Sequence, residues 1–209
     1  MTDARSLILA VEDDPSAAVA GKLVRVYRKD LAVSRVIVAR GYGRLKSHAA
    51  AYNEASRFTP FLLLTDLDQG QCPPGLVVDW LGGRTQAPGF LFRVAVREIE
   101  AWLLADHQGV SRLLGIDIAT VPPYPEGLAD PKRQLIRLAE RCRTRTLREG
   151  LVPAPESTAQ VGPRYVDLVT GFVEKSWSPA RARRFAPSLD AAIRALKAFG
   201  RRPRRARRS

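Results

Sequence analysis

Three acids stand where apolar runs stop. Glu12 closes "SLILAV" and is followed by Asp13, Asp14 and Pro15; a second run, "PFLLLTDLD" at 60–68, ends in Asp66 and Asp68, two residues apart. Along a strand, period-2 geometry points such a pair of carboxylates to the same side. The C-terminal ends of parallel strands are where α/β sheets bind ligands. Three convergent oxygens there suit Mg²⁺ or Mn²⁺, which prefer carboxylates and water. Without a cation the like charges would oppose one another, so Glu12, Asp66 and Asp68 are expected to be metal ligands. A third acidic stretch, "REIEAWLLAD" at 97–106, places Glu98 and Glu100 directly after another strand. Both are candidate second-metal ligands, Glu100 ahead of Glu98, and Glu100 a candidate general base. The competing expectation is that they pair with Arg93, Arg97 or a basic helix. Asp106 lies too far round that helix to share its face and reads as a helix-end hydrogen-bond acceptor.

The rest of the inventory narrows the metal. Cys72, Cys142, His48 and His107 are the only cysteines and histidines in 209 residues. They cannot assemble a Cys/His zinc cluster, so any metal is held by oxygen. Two unpaired cysteines in unlike contexts fit a reducing compartment, and the expected location is the cytoplasm. His48 reads as a surface helix residue. No apolar run approaches the length of a membrane span, and "MTDARS" has no signal-peptide character.

The elements that must position these acids follow from punctuation and periodicity. Strands are predicted at 6–11, 34–40, 60–68 and 89–96, alternating with helices at 15–29, at 44–57, over "PPGLVVDWLGG", and from 97 onward. Asp13 or Asp14 caps the first helix, with Pro15 in its first turn. Such alternation predicts an α/β fold: a mainly parallel, Rossmann-like sheet flanked by helices. Beyond residue 107 the strand signal fades, and helices are predicted near 108–114, 131–147, 164–175 and 187–199. The expected organisation is an α/β domain over 1–107, a basic helical appendage over 108–200 and a disordered Arg-rich arm at 201–209. No phosphate-binding glycine loop of the P-loop or dinucleotide type is present.

Charge is lopsided. Residues 1–105 hold 13 Lys/Arg against 11 Asp/Glu, whereas 106–209 hold 21 against 10, within a net of +13. "KRQLIRLAERCRTRTLR" at 132–148 and "RRPRRARRS" at 201–209 dominate the excess. Patches of this kind attract phosphate backbones without reading sequence. Lys132, Arg133 and Arg137 are the candidate nucleic-acid contacts there. Arg44 and Lys46, in "GYGRLKSH" at 41–48, are candidates in the first half.

Two classes of protein place acids after a first strand to hold Mg²⁺. A phosphoacceptor receiver domain also needs a lysine about 50 residues beyond its aspartate, to neutralise the phosphoryl group. Here no lysine occurs between Lys46 and Lys132, and Asp68 stands where receivers carry an apolar or small residue. The receiver reading fails.

What remains resembles the TOPRIM domain, the metal-binding α/β module of topoisomerases, primases and OLD-family nucleases. That pattern has a Glu after the first strand and an Asp-x-Asp after a later one, the places of Glu12, Asp66 and Asp68. The stretches "FRVAVREIEAWLLAD" (92–106), "ADPKRQLIRLA" (129–139) and "FAPSLDAAIRALKAF" (185–199) resemble a TOPRIM-like family related to the RloB-type proteins that accompany phage-defence and restriction loci. The likeness covers nearly all of the chain except the Arg tail. One departure is Asp13, where many TOPRIM domains have a glycine; it crowds the loop or supplies a further ligand. The resemblance implies Mg²⁺- or Mn²⁺-dependent hydrolysis of nucleic-acid phosphodiesters, with DNA ahead of RNA as substrate, and a separately encoded ATPase as partner. The alternatives it leaves are a non-catalytic metal-binding subunit of a defence complex and a primase-like nucleotidyl-transferring enzyme.

Overall fold

The computed structural model describes residues 4–67 and 72–200. Asp68 and the arm at 201–209 therefore lie outside the described residues. The elements run β1 (Arg5–Val11), α1 (Asp14–Tyr27), β2 (Leu31–Val38), α2 (Tyr42–Ala55), β3 (Phe61–Asp66), α3 (Pro73–Trp80), β4 (Phe90–Ala95) and α4 (Ile99–Leu104). Helices α5 (His107–Leu114), α6 (Pro131–Glu140), α7 (Arg145–Leu151), α8 (Tyr165–Lys175), α9 (Pro179–Ala182) and α10 (Pro187–Ala198) follow. Two 3₁₀ turns, at Ile118–Thr120 and Pro125–Gly127, separate α5 from α6. No described helix is long and apolar enough to cross a membrane.

The four strands form one parallel sheet in the order β2-β1-β3-β4. The chain moves outward from β1 to β2, then returns past β1 to build β3 and β4 on its other side. The reversal falls between β1 and β3, the switch point at which such sheets open a crevice. Val11 is level with Leu64, and Asp66 with Ala95. Glu12 thus emerges beside the strand that ends in Asp66.

Period-2 alternation divides the core in two. Leu7, Leu9 and Val11 of β1, with Leu62 and Leu64 of β3, join a cluster that continues through Val19, Leu23, Trp102, Leu135, Phe172 and Leu196. That cluster carries α1, α4, α6, α8 and α10. Ala10, Leu63, Phe90 and Phe92 face the opposite side, against Leu45 and Ala49 of α2 and Leu76 and Trp80 of α3. Both inner strands read as near-continuous apolar runs because both of their faces are covered.

Several boundaries differ from the sequence reading. The second strand starts at Leu31 rather than at 34. It is an edge strand, exposed along Ala32–Val36, so burial marks only its ends. Its register skips Ser34, since Leu7 pairs with Val33 and Ile8 with Arg35. The helix expected over 131–147 is two helices: the chain turns at Cys142, whose side chain is buried and whose N–H bonds the Ala139 carbonyl. The first helix stops at Tyr27 because Arg28 leaves helical geometry to bury its guanidinium. That group donates to the Leu196 and Phe199 carbonyls and, bidentately, to Asp30. It ties the end of α10 to the loop before β2.

Candidate metal centre

Acidic residues follow three strand ends: Glu12 and Asp13 after β1, Asp66 at the end of β3, and Glu100 in the first turn of α4 after β4. After β1, Asp13 is the N-cap of α1: its Oδ1 accepts the Ser16 N–H at 2.9 Å. The residue that departs from the TOPRIM pattern therefore has a local structural task. Glu12 precedes it, and the Glu12 carbonyl accepts the Arg40 N–H across to the end of β2. After β3, Asp66 Oδ1 accepts the Ile99 N–H at 2.9 Å, the opening amide of α4. That bond seats α4 over the strand end and brings its first turn, with Glu100, to the crevice.

Glu98 and Glu100 are not equivalent. Glu98 is the N-cap residue of α4, and its Oε2 accepts the backbone N–H of Lys132 at 2.9 Å. Glu100 is only 1 % exposed. Its Oε1 accepts the Tyr165 hydroxyl at 2.8 Å and lies 3.5 Å from Lys132 Nζ. Its Oε2 is buried with no hydrogen-bond partner among the described residues. The cation that meets Glu100 comes from the basic helix α6.

Electrostatics follow from this crowding. Burial pushes the Asp66 carboxyl well above the ordinary range, and Glu100, Asp13 and Glu12 add to the rise while Lys132 opposes it. Burial also raises Glu100; Lys132 and the Tyr165 hydroxyl pull it back, and Glu98 pushes it further up. For Lys132, burial alone would lower the ammonium. Glu100, Glu98, Asp66 and Asp13 outweigh it, so the group is held above its ordinary value. Burial and Glu100 raise Tyr165 as well, which keeps its hydroxyl a donor. Among the described residues, the site thus gathers more carboxyl groups than the lysine that meets them can offset.

A hard divalent cation suits this site in two respects. The donors are all oxygens, and Glu100 Oε2 is a buried acceptor lacking the partner such atoms normally have. Among the described residues, however, no three His, Cys, Asp or Glu side chains stand close enough to hold a metal as a ready-made set. Asp68 lies outside the described residues.

The candidate phosphate contacts separate into two groups. Lys132 and Arg133, in the first turn of α6, line a cavity of about 340 Å³ with Glu98, Asp130 and Gln160. Arg137 is exposed one turn further along α6. Arg44 and Lys46 lie on α2, which packs against the other face of the sheet, and Lys46 Nζ is 2.7 Å from Asp79. His48 is exposed and bonds the Arg44 carbonyl within its own helix, as expected of a surface residue.

Sequence reasoning missed Tyr165. It lies 65 residues beyond Glu100 and opens α8. The available signal was a tyrosine on the buried stripe of a helix, together with Val169, Phe172 and Val173. Such a hydroxyl requires a partner. Asp106 behaves as read: it caps α5 through Gly109 and accepts from Ser178 and Arg181.

No protein-family model matches the chain, and no curated protein does. Among solved structures, the C-terminal region of the Burkholderia pseudomallei OLD protein superposes with a TM-score of 0.46 at 16 % identity, over 91 % of this chain and 98 % of that one. At that level no residue role passes from one chain to the other.

Proposed function

We propose that the chain is a divalent-metal-dependent nuclease that hydrolyses nucleic-acid phosphodiesters. The observation supporting this reading is the cluster at the switch point: Asp66 and Glu100, with Glu12 and Asp13 close enough to raise the Asp66 carboxyl, beside a cleft that carries Lys132 and Arg133. Glu12, Asp66 and Glu100 would hold the cation, joined by Asp68 from outside the described residues. Bound there, Mg²⁺ or Mn²⁺ supplies a nucleophilic water at neutral pH and stabilises the leaving oxygen. Lys132 and Arg133 bind the phosphate backbone, and Arg137 extends the contact along α6. Glu98, through the Lys132 amide, fixes the start of α6 against α4 and so sets where these cations stand. Contacts of this kind give salt-sensitive binding with little sequence preference.

The test is incubation of the purified chain with supercoiled plasmid, single-stranded DNA and RNA, in Mg²⁺, Mn²⁺ or EDTA, beside an Asp66→Asn/Asp68→Asn variant. Metal-dependent cleavage that the variant lacks is the expected result, with DNA cut in preference to RNA. A folded chain that binds metal but cuts nothing overturns a self-sufficient nuclease and directs the search to an ATPase partner.

A further inference from the structure

We propose that Tyr165 is a positioning residue for the metal centre, holding Glu100 so that one defined carboxylate oxygen faces the cation. This rests on the metal reading above. Both donors to Glu100 converge on the same atom: the Tyr165 hydroxyl at 2.8 Å and Lys132 Nζ at 3.5 Å are each measured to Oε1. Oε2 remains buried and without a hydrogen-bond partner among the described residues. A free carboxylate could rotate to share its donors or turn away from its neighbours. This one cannot do so without breaking a bond made in a dry environment. Tyr165 is itself 4 % exposed and packed in the same cluster as Val169 and Phe172, so the hydroxyl has little freedom. The orientation of Glu100 is therefore set from α8, in the C-terminal half of the chain. Asp66 is tied to the same turn, since its Oδ1 accepts the N–H of Ile99, the residue before Glu100, at 2.9 Å. Outer-shell partners of metal-bound carboxylates commonly govern affinity by about 10- to 100-fold.

The experiment is calorimetric titration of the full chain with Mn²⁺, comparing wild type, Tyr165→Phe, Glu100→Gln and the double variant. Circular dichroism and thermal midpoint establish that each is folded at the titration temperature. Expected is Mn²⁺ binding by wild type, an affinity about tenfold or more weaker in Tyr165→Phe, and no further loss when Tyr165→Phe is added to Glu100→Gln. Wild type that binds no Mn²⁺ removes the metal reading, and this role with it. Wild type and Tyr165→Phe binding within about twofold of each other overturns the positioning role while the metal reading stands. An equal further loss in the Glu100→Gln background also overturns it, since Tyr165 would then act on the fold at large. Should Tyr165→Phe not fold, 4-fluorophenylalanine at position 165 fills the hydroxyl's place but cannot donate, and an unchanged Mn²⁺ affinity there overturns the proposal.

Discussion

Two buried acids stand six residues apart around α4, and they are treated in opposite ways. Asp106, fully buried, meets a full set of donors: Gly109 N–H and Arg181 Nε on Oδ1, Ser178 N–H and Arg181 Nη2 on Oδ2. Both oxygens are satisfied and one guanidinium balances the charge. Glu100 is as deeply buried, yet both of its donors fall on one oxygen, and Asp66 and Glu98 press like charge against it. A satisfied acid of the first kind joins elements, here the α4–α5 junction to α9. An unsatisfied acid of the second kind lowers stability unless something positive arrives. Burial does not distinguish them; partner count does.

Substitution should separate the two most sharply. Asp106→Asn leaves Arg181 without its counter-ion and breaks the bidentate pair. It should cost about 3 kcal/mol, the lower end for losing one partner of a buried pair, because Arg181 keeps partial access to solvent. Urea unfolding measures it, and a loss below about 1 kcal/mol would erase the contrast. Glu100→Gln should go the other way in EDTA. Removing a charge that burial opposes should raise the urea midpoint at neutral pH. The same variant should lose metal-dependent cleavage about 100-fold or more, as the loss of a ligand exceeds that of its outer-shell partners.

The pH dependence carries the same sign. Asp66 and Glu100 both have folded-state values above those of the unfolded chain. Their contribution is therefore fully present below the ordinary carboxylate range, about pH 4, and is lost as pH rises through the folded values. Thermal midpoints in EDTA should fall from mildly acidic to neutral pH more steeply in wild type than in Glu100→Gln. Saturating Mg²⁺ should flatten the wild-type decline. Identical slopes with and without Mg²⁺ would show that no cation compensates these charges.

The smallest effect concerns the cations. Arg133 lines the cavity it shares with Lys132 and Glu98, whereas Lys46 is paired with Asp79 on the other face of the sheet. Arg133→Ala should lower the slope of log binding against log salt by about 1, the value of one phosphate contact. Lys46→Ala should leave that slope unchanged in a fluorescence-anisotropy titration with DNA.

Much of the architecture was legible in the chain because local rules coincide with the global fold. The runs "LILAV" and "FLLLTD" read as inner strands, since burial on both faces demands uninterrupted apolar sequence. Asp13 and Pro15 mark the start of α1 through capping and fixed backbone geometry. The edge strand β2 was read three residues late, because exposure lets polar and apolar residues mix within it. The break between α6 and α7 escaped for a related reason: helical periodicity continues through Arg141–Thr144, and the inward turn of Cys142 is decided by what it packs against.

For the site, the division is one of range. The sequence by itself determined the acids' types and their places at strand ends, because apolar runs and short spacing are local properties. Only the tertiary structure decided that Glu100 and Glu98 have different partners, that Lys132 of α6 meets Glu100, and that Tyr165 reaches the same oxygen from α8. Those contacts link residues 32 to 65 positions apart, and no local rule encodes them. They exist because the helices after residue 107 pack on the α1 face of the sheet, where the cost of a buried charge selects which side chain lies beside it.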